Sequence, residues 1–297
     1  MSYSSHTRGL AAIILAYSIW GLFPVYWKLL GRISPIELLY IRLILTSLSC
    51  LLLLPLRGSW KDFRGAWQNH RQLGTSLLAA ILLSGNWFAF IWAVNNGRIM
   101  ESSLGYFLCP LVSVLLGRLI EHEHLGLRRW LAVGLAAAGV STLVFLAGKL
   151  PLAAICIAFT WGGYAVMKKR TPLGPVVGLG METSLLAPVS AIILLIMAFQ
   201  GPMTITAAPM AALGFLTTAG FLTAAPLLLF AFAAQRIRLS TMGMGQYIVP
   251  SAHFGLAVLY GEPVTAGVLA AFGLIWAGLL VYSLPKCKPA SPPEKGV

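Results

Sequence analysis

Apolar residues fall into ten long runs, near residues 9–29, 35–55, 73–95, 102–120, 127–147, 151–167, 177–199, 211–234, 240–260 and 264–284. A helix of about 20 apolar residues spans a hydrocarbon core of about 30 Å, so the pattern predicts ten transmembrane helices. Most polar breaks between the runs are short turns, such as Gly148-Lys149 and Arg236-Ile237-Arg238. The longest break joins the second and third runs and carries Arg57, Lys61, Arg64 and Arg71. No stretch has the makings of a soluble domain, and the Pro- and Lys-rich tail from Pro285 is expected to be disordered. The first run follows a short polar lead without a small-residue cleavage site, which predicts a retained helix rather than a cleaved signal.

Composition agrees with this pattern. Only 10% of the 297 residues are charged, against about a quarter in soluble domains, so lipid must solvate most of the exterior. The net charge of +13 would suggest nucleic acid on a soluble scaffold, but here it sorts by side instead. Sixteen Lys and Arg fall at the termini and after even-numbered runs, four after odd-numbered runs, and Arg42 lies inside a run. Positive charge marks the cytoplasmic side, which places both termini there. Cys50, Cys109, Cys156 and Cys287 have no zinc or redox spacing and read as packing residues.

The two halves of the chain resemble each other. Ser102-Ser103-Leu104-Gly105 is echoed by Ser240-Thr241-Met242-Gly243, and Pro110 with Glu123 by Pro250 with Glu262. Gly134 and Gly139 match Gly273 and Gly278, and Tyr17-Ser18-Ile19-Trp20-Gly21 loosely matches Phe159-Thr160-Trp161-Gly162. The offsets stay between 138 and 142. Five helices per copy is an odd number, so the second copy must enter the membrane upside down. The expected fold is therefore all-α, with ten transmembrane helices in two inverted five-helix repeats, residues 1–148 and 149–285, followed by a cytoplasmic tail at 286–297. Folds of this plan hold their site near the midplane, between the repeats.

Few residues could do chemistry at that depth. Arg42 and Glu182 each lie about two turns into counterpart helices, where a charge costs about 2.5–3.5 kcal/mol on insertion scales. They are expected to form a charged pair or to anchor substrate in a central cavity; an interhelical structural pair or snorkelling is the alternative. Pro24, Pro110 and Pro250 free the carbonyls of Trp20, Tyr106 and Gln246, which protein or a wet cavity must satisfy. Tyr17, Asn86, Trp87, Tyr106, Gln246 and Tyr247 are expected beside them as a pocket for a small amphipathic molecule. Glu37 reads as the closing residue of a capping box begun by Ser34, with Pro35 in the first turn. Glu101 opens the fourth helix, either serving its dipole or gating with Arg98. Glu121-His122-Glu123-His124 reads as a solvated or capping segment rather than a metal site, and His253 as a packing histidine. No phosphate-cradling Gly-rich Lys motif is present, and neither cofactor nor metal is expected.

Several motifs together carry a family likeness: Gly85-Asn86-Trp87, Phe90-Ile91-Trp92-Ala93-Val94-Asn95-Asn96, Ser103-Leu104-Gly105-Tyr106-Phe107, Pro110-Leu111, Arg238-Leu239-Ser240-Thr241, Gln246-Tyr247-Ile248, Pro250 and Gly261-Glu262. The chain resembles RarD-type permeases of the EamA branch of the drug/metabolite transporter superfamily over nearly its whole length. Cys109 departs from the pattern, which has Asn there. The resemblance implies a secondary transporter that exports a small metabolite or drug by alternating access, or a proton-independent facilitator. It places Glu37, Arg42 and Glu182 at motif positions. From the residues themselves, Glu182, Glu101, Glu37, Pro110 and Pro250 are the expected coupling or gating positions. Its expected partners are a small-molecule substrate and membrane lipid, not nucleic acid, and a homodimer is allowed. A membrane enzyme or a sensor would need a cluster of reactive groups or a signalling segment, and the sequence offers neither.

Overall fold

The computed structural model describes residues 3–31, 33–96, 98–148, 152–261 and 264–284. Glu262 and the expected tail at 286–297 lie outside them, and the side chain of Glu101, in the first turn of its helix, is likewise outside the description. Every regular element among these residues is helical: α1 (Tyr3–Leu29), α2 (Pro35–Leu56), α3 (Trp60–Gln68), α4 (His70–Asn95), α5 (Ile99–Leu119), α6 (Leu127–Ala147), α7 (Leu152–Arg170), α8 (Pro175–Gln200), α9 (Met210–Ala234), α10 (Leu239–Gly245), α11 (Ile248–Leu259) and α12 (Ala266–Ser283), with a 3-10 turn at Thr204–Ala207. Eight of them, α1, α2, α4, α5, α6, α8, α9 and α12, are long and apolar enough to cross a membrane. The sixth expected span is α7, whose last turn is Lys168-Lys169-Arg170. The ninth is broken in two, α10 and α11, with Gln246 and Tyr247 between them.

Large apolar side chains such as Leu52, Leu56, Phe145, Phe199 and Leu259 stand on the outside, as a lipid solvent requires. Short connections make successive helices antiparallel, so one face of the bundle carries the start of α1 and the ends of α2, α5, α7, α9 and α12. We call it the N-terminal face and its opposite the distal face. The helix α3 interrupts what the sequence suggests is a plain loop. Its Phe63 and Ala66, three residues apart, pack with Leu54, Leu173, Val177 and Met181, which is enough to order it on the N-terminal face.

Helices meet in pairs that recur with the halves of the chain exchanged: α6 lies along α12, α2 along α8, and the contacts of α5 with α7 are echoed by those of α11 with α1. The matched glycines sit at these contacts. A Cβ at Gly139 would come within 2.6 Å of the Ala271 carbonyl oxygen, and one at Gly278 within 2.6 Å of the Ala132 carbonyl oxygen. Likewise Gly162 closes on Val112 and Leu116 while Gly21 closes on Ala252. Small residues let membrane helices approach this closely, and packing there carries the association that hydrophobicity drives in water. The central core gathers Tyr17, Leu83, Cys109, Ile157, Tyr164 and Phe230.

Candidate functional site

Arg42 stands two turns into α2, on the distal half of the bundle. No carboxylate approaches it among the described residues. Its guanidinium carbon instead lies 5.3 Å from the ring centre of Trp27 and 4.9 Å from that of Trp87. Two such faces attract a cation through their quadrupoles, by about 0.5–2 kcal/mol each depending on desolvation. They supply no hydrogen-bond acceptor. Nε is sealed from solvent without a partner among the described residues, while the residue as a whole is half-buried. Tyr106 stands within electrostatic reach, and its ring meets Phe90 at 5.9 Å.

Glu182, the counterpart of Arg42 in α8, is buried and fully engaged. Lys168 Nζ donates to Oε1 at 2.5 Å and the Tyr164 hydroxyl donates to Oε2 at 3.1 Å. The expected pairing of Glu182 with Arg42 therefore does not form. The reason is geometric: the two residues sit near opposite faces, and the last turn of α7 brings Lys168 to Glu182 first. Lys168 is 1% exposed although its sequence context reads as a basic loop. The signal that could have found it lies in the repeat. Trp20 and Trp161 are matched, and seven residues further along both helices stand Trp27 and Lys168.

The expected polar pocket is, for the most part, a packed seam. The Tyr17 hydroxyl donates to the Met242 carbonyl at 2.9 Å, Asn86 Nδ2 to the Ile157 carbonyl at 2.8 Å, and the Tyr247 hydroxyl to the Phe107 carbonyl at 3.3 Å. Trp161 Nε1 donates to Gln246 Oε1 at 3.2 Å. These groups are buried and already satisfied, so they hold helices together in this conformer rather than line a cavity. Trp20 meets Trp161 edge-on at 5.4 Å and Phe230 at a tilt at 6.0 Å, extending the seam toward Trp27. Only Arg42, Trp20, Trp87 and Tyr106 of the expected set remain partly open.

The prolines act unequally. Helices α1 and α5 run unbroken through Pro24 and Pro110, and only the stretch before Pro250 is interrupted. The Trp20 carbonyl freed by Pro24 meets His253 Nε2 at 3.4 Å. Cys109, where the family pattern has Asn, is buried with Sγ 3.8 Å from the Ile157 carbonyl oxygen.

Two carboxylates serve backbone across the bundle. Glu37 closes no box on its own helix, and Ser34 makes no side-chain cap. Its oxygens accept instead from Thr204 and Ile205 N–H at 2.8 and 2.9 Å, which ties α2 to the 3-10 turn before α9. Glu123 accepts from Leu239 and Ser240 N–H at 2.5 and 3.0 Å, capping α10. Glu121 pairs with Arg170 at 2.7 Å. No group of three potential metal ligands occurs among the described residues. A cavity of about 510 Å³ opens at the N-terminal face among His6, Glu121, Glu123, Arg129, Arg236 and Arg238. It is separate from Arg42.

Residues 7–145 match the EamA-like transporter family. An uncharacterized transporter of Vibrio cholerae is 36% identical over 95% of this chain and 93% of its own length. The uncharacterized transporter YojE of Bacillus subtilis is 38% identical over 97% of both chains, and the RarD protein of Escherichia coli is 37% identical over 93% of both. A solved crystal structure, 21% identical, superposes with a TM-score of 0.70 over 95% of this chain and 98% of that one, a likeness of fold alone.

Proposed function

The chain belongs to the EamA-like transporter family, among its RarD-type members, and from that premise we propose that it is a secondary transporter exporting a small organic solute by alternating access. In this reading α7 and the broken pair α10–α11 complete ten spans, with residues 1–148 and 149–285 as inverted repeats. The bundle sits in a bacterial inner membrane with the N-terminal face toward the cytoplasm, as the excess of Lys and Arg on that face favours.

One observation carries the reading: the reciprocal contact in which Gly139 meets Ala271 and Gly278 meets Ala132. A contact that returns when the halves are exchanged supports a pseudo-two-fold axis in the membrane plane. About such an axis, closing one side and opening the other are near-equivalent states. The Lys168–Glu182 pair and the Glu123 cap on α10 then act as closures of the cytoplasmic side. Arg42, Trp27, Trp87 and Tyr106 stand on the distal side as the candidate solute contacts.

Counterflow into proteoliposomes tests the proposal, using radiolabelled arylcarboxylates, their amides and the matching amines. Saturable, protein-dependent exchange of at least one class is expected; none in any class would overturn it. Coupling to protons is a separate matter. A Glu182→Gln variant that kept flux driven by a pH gradient would remove Glu182 from that role, whereas flux of the unaltered chain that ignores a pH gradient would favour a proton-independent exchanger.

A further inference from the structure

The carboxylates buried in the bundle are all engaged away from Arg42, and that points to the solute: Glu123 accepts from the backbone of Leu239 and Ser240. Lys168 and Glu182 cancel within one hydrogen-bonded pair. Glu37, on the distal half, spends both oxygens on the backbone of Thr204 and Ile205. That leaves Arg42 as a guanidinium without a counter-ion among the described residues. A guanidinium carries five N–H donors and no acceptor, and here Nε is sealed from solvent without a partner among the described residues. The cation is held in place by Trp27 and Trp87 but not neutralised. Such an arrangement is costly in a membrane and becomes favourable when an anion arrives.

From this we infer that Arg42 is the recognition site for a monoanionic solute with an apolar, preferably aromatic, body: a carboxylate or another oxyanion of like geometry. The planar fork takes two oxygens at once, which a lysine cannot do. Trp27 and Trp87 flank the guanidinium with ring faces suited to the body, and Tyr106, within electrostatic reach, packs against Phe90. Lys28 and Arg98, at helix ends on the same face, add positive potential along the approach. One fixed positive charge matches one negative charge on the solute. The inference rests on the transporter reading for its biological meaning, but the binding it asserts can be measured without flux.

The test titrates the purified full chain, in phosphatidylcholine nanodiscs, with 3-phenylpropionate and with the isosteric 3-phenylpropionamide, by calorimetry. Losing a charge-assisted fork should make the amide bind at least about 10-fold more weakly than the acid. Arg42→Gln should bring the two ligands to within about two-fold of each other, and Arg42→Lys should leave an intermediate ratio. Arg64→Gln, on α3 at the opposite face, should leave the preference intact. Equal binding of acid and amide, no binding of either, or an undiminished preference in Arg42→Gln would overturn the inference. So would displacement of the acid by one equivalent of phosphatidylglycerol, because the natural anion would then be a lipid headgroup. Arg42-dependent binding without any flux would sink the transporter reading and leave the anion site standing. Flux without preference for acids would do the reverse.

Discussion

Arg42 with Trp27, and Glu182 with Lys168, occupy matching places in the two halves of the chain and are built to opposite ends. The offsets, 140 for the first members and 141 for the second, fall in the range that relates the other matched motifs. On the N-terminal side the position holds a carboxylate that a lysine and a tyrosine saturate. On the distal side it holds a guanidinium faced by two indoles. The first arrangement is complete without a ligand, and the second is not. If the halves are inverted repeats, as proposed, the position of the charge is kept while its partners differ.

The comparison can be broken most forcefully at Glu182. Glu182→Leu strands Lys168 in a site that is 1% exposed, and breaking a buried pair from one side costs about 3–5 kcal/mol. A fall of that size in detergent melts is expected, with most of it recovered in the Lys168→Met/Glu182→Leu double variant. A single variant that melts like the wild type would mean the pair closes nothing. Tyr164→Phe should cost less, about 1.5–3 kcal/mol, the worth of one hydrogen bond to a charged acceptor, read in the same melts. On the distal side the effects on the fold shrink. Trp87→Leu keeps apolar volume but removes one of two cation–π faces, for a loss of about 0.5–2 kcal/mol. Arg42→Gln should be smallest, within about 1 kcal/mol and tending toward greater stability, because a buried uncompensated charge disappears. If Arg42→Gln instead unfolds the protein as Glu182→Leu does, the two sides are alike and the contrast fails.

Much of the architecture is legible along the chain. Runs of apolar residues mark the helices to within a few positions, and the ends of α2, α6 and α9 fall within one or two residues of the pattern. Arg42 and Glu182 stand out because a charge inside an apolar run is visible without any neighbour. Lys168 does not stand out, since it closes a run beside Lys169 and Arg170 and looks like one more loop cation. Glu37 looks local because Ser34 and Pro35 precede it, yet its partners lie beyond the end of α8. The order Tyr17, Asn86, Gln246, Tyr247 suggests a pocket, because polar groups in membrane helices need acceptors. Which acceptors they find decides between a pocket and a seam.

By itself, then, the sequence determined that this is a membrane protein of apolar helices, where most of those helices lie, and which charges fall inside apolar runs. Each of these is a property of residues read in order, because hydropathy and spacing are local. The tertiary structure alone decided what every buried charge meets. Helix packing brings the last turn of α7 to Glu182 and the indoles of α1 and α4 to Arg42, and no local pattern encodes a distance between helices. An ion pair therefore forms on one side, and on the other a cation stands between two indoles with no carboxylate beside it among the described residues.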